Sequence, residues 1–436
     1  MSDGKAFSAA TGGFAPVKRP VLATPEQIEM EELLLRLLAD PDIRAVQRQA
    51  EAELAATPTG RSRDGVATVG RASAMYVASH IAGVVSADQP SPAFLWWENA
   101  AHTLAGHTVW GIGLAGDMPD NIYRRVTVDG SGEYEITGRI DLAARPALLI
   151  FEAMRGRVGP VKLTNQASSA DMGTFVGALD DRGITVGADG SFSIKFGGSP
   201  RTSDFIPLEP GDITLMVRET LSSWDQRPCE MRIRRVAGTA PPERSFEDIK
   251  ARALEGLIEH VRFWGDWHNL SRQGIEPNTI KPPLPRDGGF GYAAHLRFRL
   301  GPGEVALLTI SAERSHYFSV HVTDPWQITA DSRHYQVQRN PSQSRPNIDG
   351  AYTYLIGPRD PGFGNWLDTA GLHDGYGILR WQGCPDEFSI DGSVRDFRII
   401  SWEEAQRLPG VLPVSRLERQ AERMAQAAAY DRRASD

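Results

Sequence analysis

A short pattern occurs twice in the last two thirds of this chain. Asp189-Gly190-Ser191-Phe192-Ser193-Ile194 is followed by Leu215-Met216-Val217-Arg218, and Asp349-Gly350-Ala351-Tyr352-Thr353-Tyr354 by Gly377-Ile378-Leu379-Arg380. Aspartate and arginine are 29 residues apart in the first copy and 31 in the second. In both, an Asp-Gly turn opens a strand, an irregular loop follows, and the next strand ends in arginine. Asp-Gly hairpin turns recur by chance in many β proteins. The agreement of all three features in order favours two related β-sandwich units over chance.

The surrounding periodicity fits that reading. Residues 1–23 read as a flexible lead, and Thr24-Pro25-Glu26-Gln27 is a capping box with proline at the first helical position. Asp40-Pro41 repeats the signal for a second helix from about 42 to 56. An apolar helix near 71–87 and a short one around 93–104 complete a helical region over 24–104. From about Trp110 the apolar residues alternate with polar ones, as in half-buried strands, giving a first β domain over 105–238. Pro241-Pro242 breaks the chain, and Ser245-Phe246-Glu247-Asp248 caps a long linking helix within 239–270. A second β domain spans 271–400. Residues 401–436 carry two more capping boxes, at Ser401 and Ser415, and an Ala-rich helix from 416 to about 430, expected to fray or to dock on a partner. The predicted class is α+β: two β-sandwich-like units, an N-terminal helical region and a long linking helix.

Composition narrows the functions. At 436 residues the chain can hold two to three domains. A net charge of -8 argues against nucleic acid, which wants a basic face. Cys229 and Cys384 are the only cysteines, too far apart for a disulfide framework or a thiolate zinc ribbon. No apolar stretch is long enough to span a bilayer, and residues 1–20 contain no signal-like apolar run. A soluble cytoplasmic protein with neither membrane nor nucleic-acid partner is expected.

Several motifs lack their context. Gly111-Ile112-Gly113-Leu114-Ala115-Gly116 has dinucleotide-binding spacing, but Asp117-Met118-Pro119 follows where a helix should offer its N-terminus to the pyrophosphate. His316 and His321 fall on opposite faces of a continuous strand, His321 sharing its side with Tyr317 and Ser319. His102 and His107 are five apart, poorly placed for one helical face. No metal and no cofactor is expected.

The segment Asp360-Pro361-Gly362-Phe363-Gly364-Asn365-Trp366-Leu367-Asp368-Thr369-Ala370-Gly371, with Arg380-Trp381 after it, resembles the signature of a bacterial domain-of-unknown-function family, number 1214. Asp324-Pro325-Trp326, Asp331, Asn340 with Gln343, and Asp349-Gly350 extend the resemblance over about 317–383. Pro119-Asp120-Asn121-Ile122-Tyr123-Arg124, Arg218-Glu219 and Trp224-Asp225 carry it more weakly upstream, from about 105. Arg333 and His373 are shifted from their usual places. The resemblance implies a β-sandwich-like fold and no established activity.

Two readings of the signature loop stay open. Asn365, Asp368 and Thr369 can hold a difficult turn while Trp366 plugs a core. Alternatively Trp366 and Trp326 wall a cleft into which Asp368, Arg380 and Tyr123 point polar groups, a mixture suited to a hydroxylated small molecule. On that second reading Asp368, Tyr123 and His316 are the candidate catalytic residues. Trp326, Asn365, Trp366, Thr369 and Arg380 are the candidate binding residues. The expected function is a cofactor-independent enzyme using acid–base chemistry on a hydroxylated small molecule, as hydrolase, lyase or isomerase. The alternative is a non-catalytic binder of a carbohydrate or lipid-like ligand. The C-terminal helix is a candidate surface for a homo-oligomer.

Overall fold

The computed structural model describes residues 23–433 except 88, 99, 115, 157–174, 200–202, 273, 287–289 and 409–412, and the side chains of 267–272 are not described. The lead expected over 1–23 therefore lies almost wholly outside the described residues.

Helices α1 (Pro25–Ala39) and α2 (Pro41–Ala55) begin where side-chain caps predict, and α3 (Arg63–Val85) begins well before the expected start near 71. Thr24 accepts from the Gln27 N–H, Asp40 from Asp42 and Ser62 from Gly65. The short helix expected around 93–104 is absent. Strand β1 (Leu95–Trp97) and a hairpin of β2 (His102–Leu104) and β3 (His107–Val109) stand there instead. Ala105 and Gly106, at φ 48° and 89°, make the left-handed turn that closes the hairpin. The two tryptophans of β1 gain a pairing partner that no local signal announces.

The first β unit continues with β4 (Asn121–Asp129), β5 (Glu133–Arg139), β6 (Leu148–Arg155), β7 (Phe175–Asp180), β8 (Ser191–Phe196), β9 (Phe205–Ile206), β10 (Asp212–Thr220) and β11 (Glu230–Ala237). The linker is two helices, not one: α4 (Phe246–Leu254) and α5 (Leu257–Arg272). Glu255 is extended and Gly256 left-handed at φ 69°, which ends the first helix. The second unit comprises β12 (Thr279–Ile280), β13 (Leu284–Pro285), β14 (Tyr292–Arg299), β15 (Glu304–Ile310), β16 (Tyr317–Thr323), β17 (Gln338–Arg339), β18 (Tyr352–Gly357), β19 (Trp366–Asp368), β20 (Asp374–Gln382) and β21 (Val394–Ser401), with a helical turn α6 (Ile390–Ser393) between the last two. The turn α7 (Trp402–Ala405) and the helix α8 (Arg416–Arg433) close the described chain.

The two β units have one topology. The larger sheets run β1-β4-β10-β6-β7 and β12-β14-β20-β16-β17, and the smaller run β11-β5-β8-β9 and β21-β15-β18-β19. Both smaller sheets even end in the same parallel pair, β8 with β9 and β18 with β19. Arg218 is the seventh residue of the nine-residue β10, and Arg380 the seventh of the nine-residue β20. The repeated arginines thus occupy one structural position.

Within each unit the alternating faces bury against each other. Leu215 and Val217 of β10 pack with Ile136 and Ile194 of the smaller sheet, and Leu379 and Trp381 of β20 with Leu308 and Tyr354. Arg218 and Arg380 must then point out of their sandwiches, on the opposite face. Those outer faces do not meet water over most of their area. Helices α1–α5 cover one part in a core that includes Trp97, Tyr123, Met216, Trp326 and Ile328. Elsewhere the faces meet through the loop 111–120: Met118 packs between Leu148 of β6 and Tyr317 of β16.

Candidate functional site

The loop between the two large sheets is fixed from both sides. The Gly116 N–H donates to the Gln327 carbonyl at 3.1 Å, and its own carbonyl accepts from Arg380 Nη2 at 2.7 Å. A Cβ on Gly116 would lie 2.7 Å from Ile378 Cδ1 at a φ of 77°, so glycine is needed there. Asp120, 2% exposed, accepts from the Tyr317 hydroxyl at 2.6 Å and from Asn340 Nδ2 at 2.5 Å. Burial pushes the Asp120 carboxyl up to about 6, against these two donors.

Around this loop gather charged groups from both repeats. Arg218 donates from Nε to Glu152 of β6 at 2.8 Å, and its guanidinium lies 5.8 Å from the Tyr123 ring centroid. Arg125 of β4 lies over Trp97 at 4.5 Å and over Tyr123 at 5.3 Å, and reaches Asp117 at 3.5 Å. The Tyr123 hydroxyl accepts the Met118 N–H at 2.9 Å, which leaves its own proton to donate. Arg286 approaches from the loop before β14. Burial, then the positive charges of Arg380 and Arg218, hold its guanidinium well below the ordinary value.

Several of these groups have unused bonding capacity among the described residues. Arg380 Nε and Nη1, Arg286 Nη1, Arg125 Nε and Glu152 Oε1 are buried without a hydrogen-bond partner. His321, fully buried on β16, has no close hydrogen bond at either ring nitrogen among the described residues, and its ring lies against the Gly116 backbone. Burial, with Arg380 nearby, holds its imidazole well below the usual range, hence neutral at pH 7. Buried donors without partners are costly, and here four of them belong to arginines beside a neutral imidazole.

The sequence-predicted residues divide among three places. Tyr123 and Arg380 belong to the cluster just described. Asn365, Trp366, Asp368 and Thr369 lie together under α8 and are occupied with the fold. Asn365 accepts from the Arg345 N–H at 2.8 Å and donates to the Arg345 and Thr353 carbonyls. Thr369 Oγ1 donates to the Leu372 carbonyl at 2.5 Å. The Trp366 indole donates to Gly357 at 3.0 Å and carries Arg419 and Arg423 of α8 on its ring, each at 5.5 Å. Trp326 is elsewhere: 0% exposed, its indole donating to Gly65 of α3 at 3.2 Å. Both tryptophans are therefore spent on packing rather than paired as the walls of one cleft. His316 is exposed, with its ring Nε2 3.2 Å from the Ala147 carbonyl and its N–H on the Gly383 carbonyl, away from the cluster. Glu152, Arg286 and Arg125 carried no sequence signal, and His321 had only its side of the strand.

Asp368 holds a turn. Its Oδ1 accepts from the Ala370 N–H at 2.9 Å and its Oδ2 from Arg423 at 3.2 Å, while Ala370 is left-handed at φ 55°. Burial, first among the causes, raises its carboxyl to about 6. Asp368→Ala should cost about 1–3 kcal/mol by orphaning the Ala370 N–H. Urea denaturation of the variant beside the parent measures the loss.

Asp324, from the Asp-Pro-Trp stretch, is likewise structural. One oxygen accepts the N–H groups of Trp326 and Ile328, both at 2.9 Å, and the other is buried without a partner. Burial raises its carboxyl from 3.8 to about 7, against those two donors and the charge of Arg71. The folded state therefore holds this proton more tightly than the unfolded chain. The contribution is full below the unfolded pKa and lost as pH rises through about 7. Asp324→Asn keeps the acceptor and removes the titration. Relative to the parent, the variant should gain stability between about pH 5 and pH 8, by at most about 3 kcal/mol. Denaturation at both pH values measures the difference.

No family model and no curated protein matches the chain. Among solved structures, an uncharacterized protein from Burkholderia cenocepacia has a similar fold, with TM-score 0.65 at 21% identity over 86% of this chain and 99% of that one. A protein from Vibrio parahaemolyticus aligns over 66% of this chain and 90% of its own, at 15% identity and a TM-score of 0.38. The first likeness is one of fold.

Proposed function

We propose that the cluster between the two large sheets binds a small, anionic, hydroxyl-bearing molecule, and that the chain is a cytoplasmic, cofactor-independent enzyme acting on it by acid–base chemistry. The observation that carries this is the set of arginine nitrogens on Arg380, Arg286 and Arg125 that are buried near Gly116 and Asp117 with no hydrogen-bond partner among the described residues. A carboxylate or phosphate would satisfy these donors with charge-assisted bonds. The Tyr123 hydroxyl can donate to a ligand hydroxyl. Neutral His321 is the group able to take a proton, and Glu152 keeps one oxygen unused. The resemblance to family 1214 supports a shared fold and leaves this chemistry to the cluster. The compartment rests on the two unpaired cysteines, one of them buried.

Calorimetric titration with inorganic phosphate, glycerate and gluconate tests the site. Binding should weaken at least about tenfold in Arg380→Met, the loss of one charged hydrogen bond. Deuterium wash-in to a bound hydroxy acid, lost in His321→Gln, would support the enzyme. Binding without exchange would make the protein a non-catalytic binder, and no binding to any of these anions would overturn the site.

A further inference from the structure

The repeat assigns each member of the cluster a counterpart. Counting from the two equivalent arginines, Arg218 pairs with Tyr123 and Ile150 on its neighbouring strands, and Arg380 with Ala293 and Ser319. Two residues back along the central strand, Met216 pairs with Glu152 and Ile378 with His321. Glu152 and His321 therefore stand at the same position of the two large sheets, and Tyr123 and Ala293 at another. In the first unit the arginine Nε holds Glu152 at 2.8 Å, and its guanidinium lies 5.8 Å from the Tyr123 ring centroid. In the second unit the carboxylate is replaced by an imidazole, held neutral by burial, and the tyrosine by a methyl group. The Nε of Arg380, the atom equivalent to the one that Arg218 uses, has no partner among the described residues.

We propose that Arg380, assisted by Arg286, holds a carboxylate group of the ligand on its Nε, through the bond that Glu152 makes to Arg218 in the other unit, and that His321 and Ala293 create this site by withdrawing the internal counter-ion and the covering ring. This deepens the function proposed above and rests on it. The first unit then shows how the second is completed: one planar carboxylate oxygen on Arg Nε, on the outer face of the central strand. The exchange of Tyr123 for Ala293 removes an aromatic ring from the strand position beside Arg380. The ligand class is a small carboxylic acid, with phosphate a less well-matched anion because the position is built for a planar group.

The test restores the internal counter-ion. His321→Glu should pair with Arg380 and weaken binding of acetate and glycerate at least about 100-fold, as expected for the loss of a buried ion pair to the ligand, with thermal stability equal or higher. Glu152→Gln, which removes a competing negative charge beside Arg218, should tighten the same ligands severalfold. This second arm stands if the glutamate variant does not fold. Parent-like acetate and glycerate affinity in a folded His321→Glu, or unchanged or weaker affinity in Glu152→Gln, would overturn the proposal. Phosphate bound more tightly than either carboxylate would overturn the ligand class. If the parent protein binds no anion at all, the site itself fails, a result distinct from these.

Discussion

Trp326→Ala should cost the protein about 3–5 kcal/mol, the range for truncating a fully buried aromatic. Its side chain is 0% exposed within the core that joins the N-terminal helices to the second β unit. The indole donates to the Gly65 carbonyl at 3.2 Å, and Tyr76 donates to the Trp326 carbonyl at 2.5 Å. Gly65 must itself be glycine, since a Cβ there would fall 1.8 Å from the Thr59 carbonyl oxygen. Trp326→Ala leaves a cavity against α3 that neighbouring elements fixed by their own sheets cannot fill. Anion affinity of the fraction that remains folded should match the parent, since the Trp326 indole bonds Gly65 of α3. Urea denaturation with parallel titration separates the two effects. A loss of affinity with stability intact would restore Trp326 as a ligand wall.

Removing Arg419 should be nearly as damaging, at about 3–5 kcal/mol, because it strands buried partners rather than a surface pair. Arg419, 5% exposed on α8, donates to Asp360 at 2.9 Å, Gln336 at 3.1 Å, Glu422 at 2.7 Å and the Phe363 carbonyl. Glu422 in turn meets Arg339 at 3.1 Å, and Arg339 is 2% exposed. These bonds, with Gln426 donating to the Ser332 and Tyr335 carbonyls, fasten α8 across the signature loop. Arg423 provides the contrast. Its side chain is 43% exposed where it meets Asp368, so Arg423→Ala should cost no more than about 1 kcal/mol. Equal losses from the two variants would mean that burial does not decide the value of these pairs.

The signature loop is thus read here as the seat of α8, and the structural account of Asn365, Trp366, Asp368 and Thr369 follows from where their bonds go. The sequence offered both readings because such side chains suit turns and ligands alike. The α+β class and the sandwich units were legible for a physical reason: alternation and turn residues act locally, and they occurred twice. Caps at Thr24, Ser245 and Ser415 marked helix starts, since each is one side chain bonding a backbone N–H within three residues. The break at Gly256 and the strand at Leu95–Trp97 were missed. The first needs one left-handed residue within an otherwise helical pattern, and the second needs a partner strand more than twenty residues away.

The arginine repeat pointed at Arg218 and Arg380 through spacing alone. What surrounds them could not be read that way. Glu152 and His321 become counterparts only through the register of β6 and β16 against the central strands, and register is set by long-range pairing. Arg286 arrives from a loop with no periodic signal. Sequence separation hides such clusters even when every member is a residue type known for chemistry.

The central claim is that an anion completes the buried arginines between the two units. Crystals grown with glycerate, or with selenate as an anomalous stand-in for an oxyanion, test it most directly. The account predicts density for one anion within hydrogen-bonding distance of Arg380 Nε and Arg286 Nη1, beside His321. Arginines bonded instead to protein groups, with the anion absent or bound elsewhere, would contradict it.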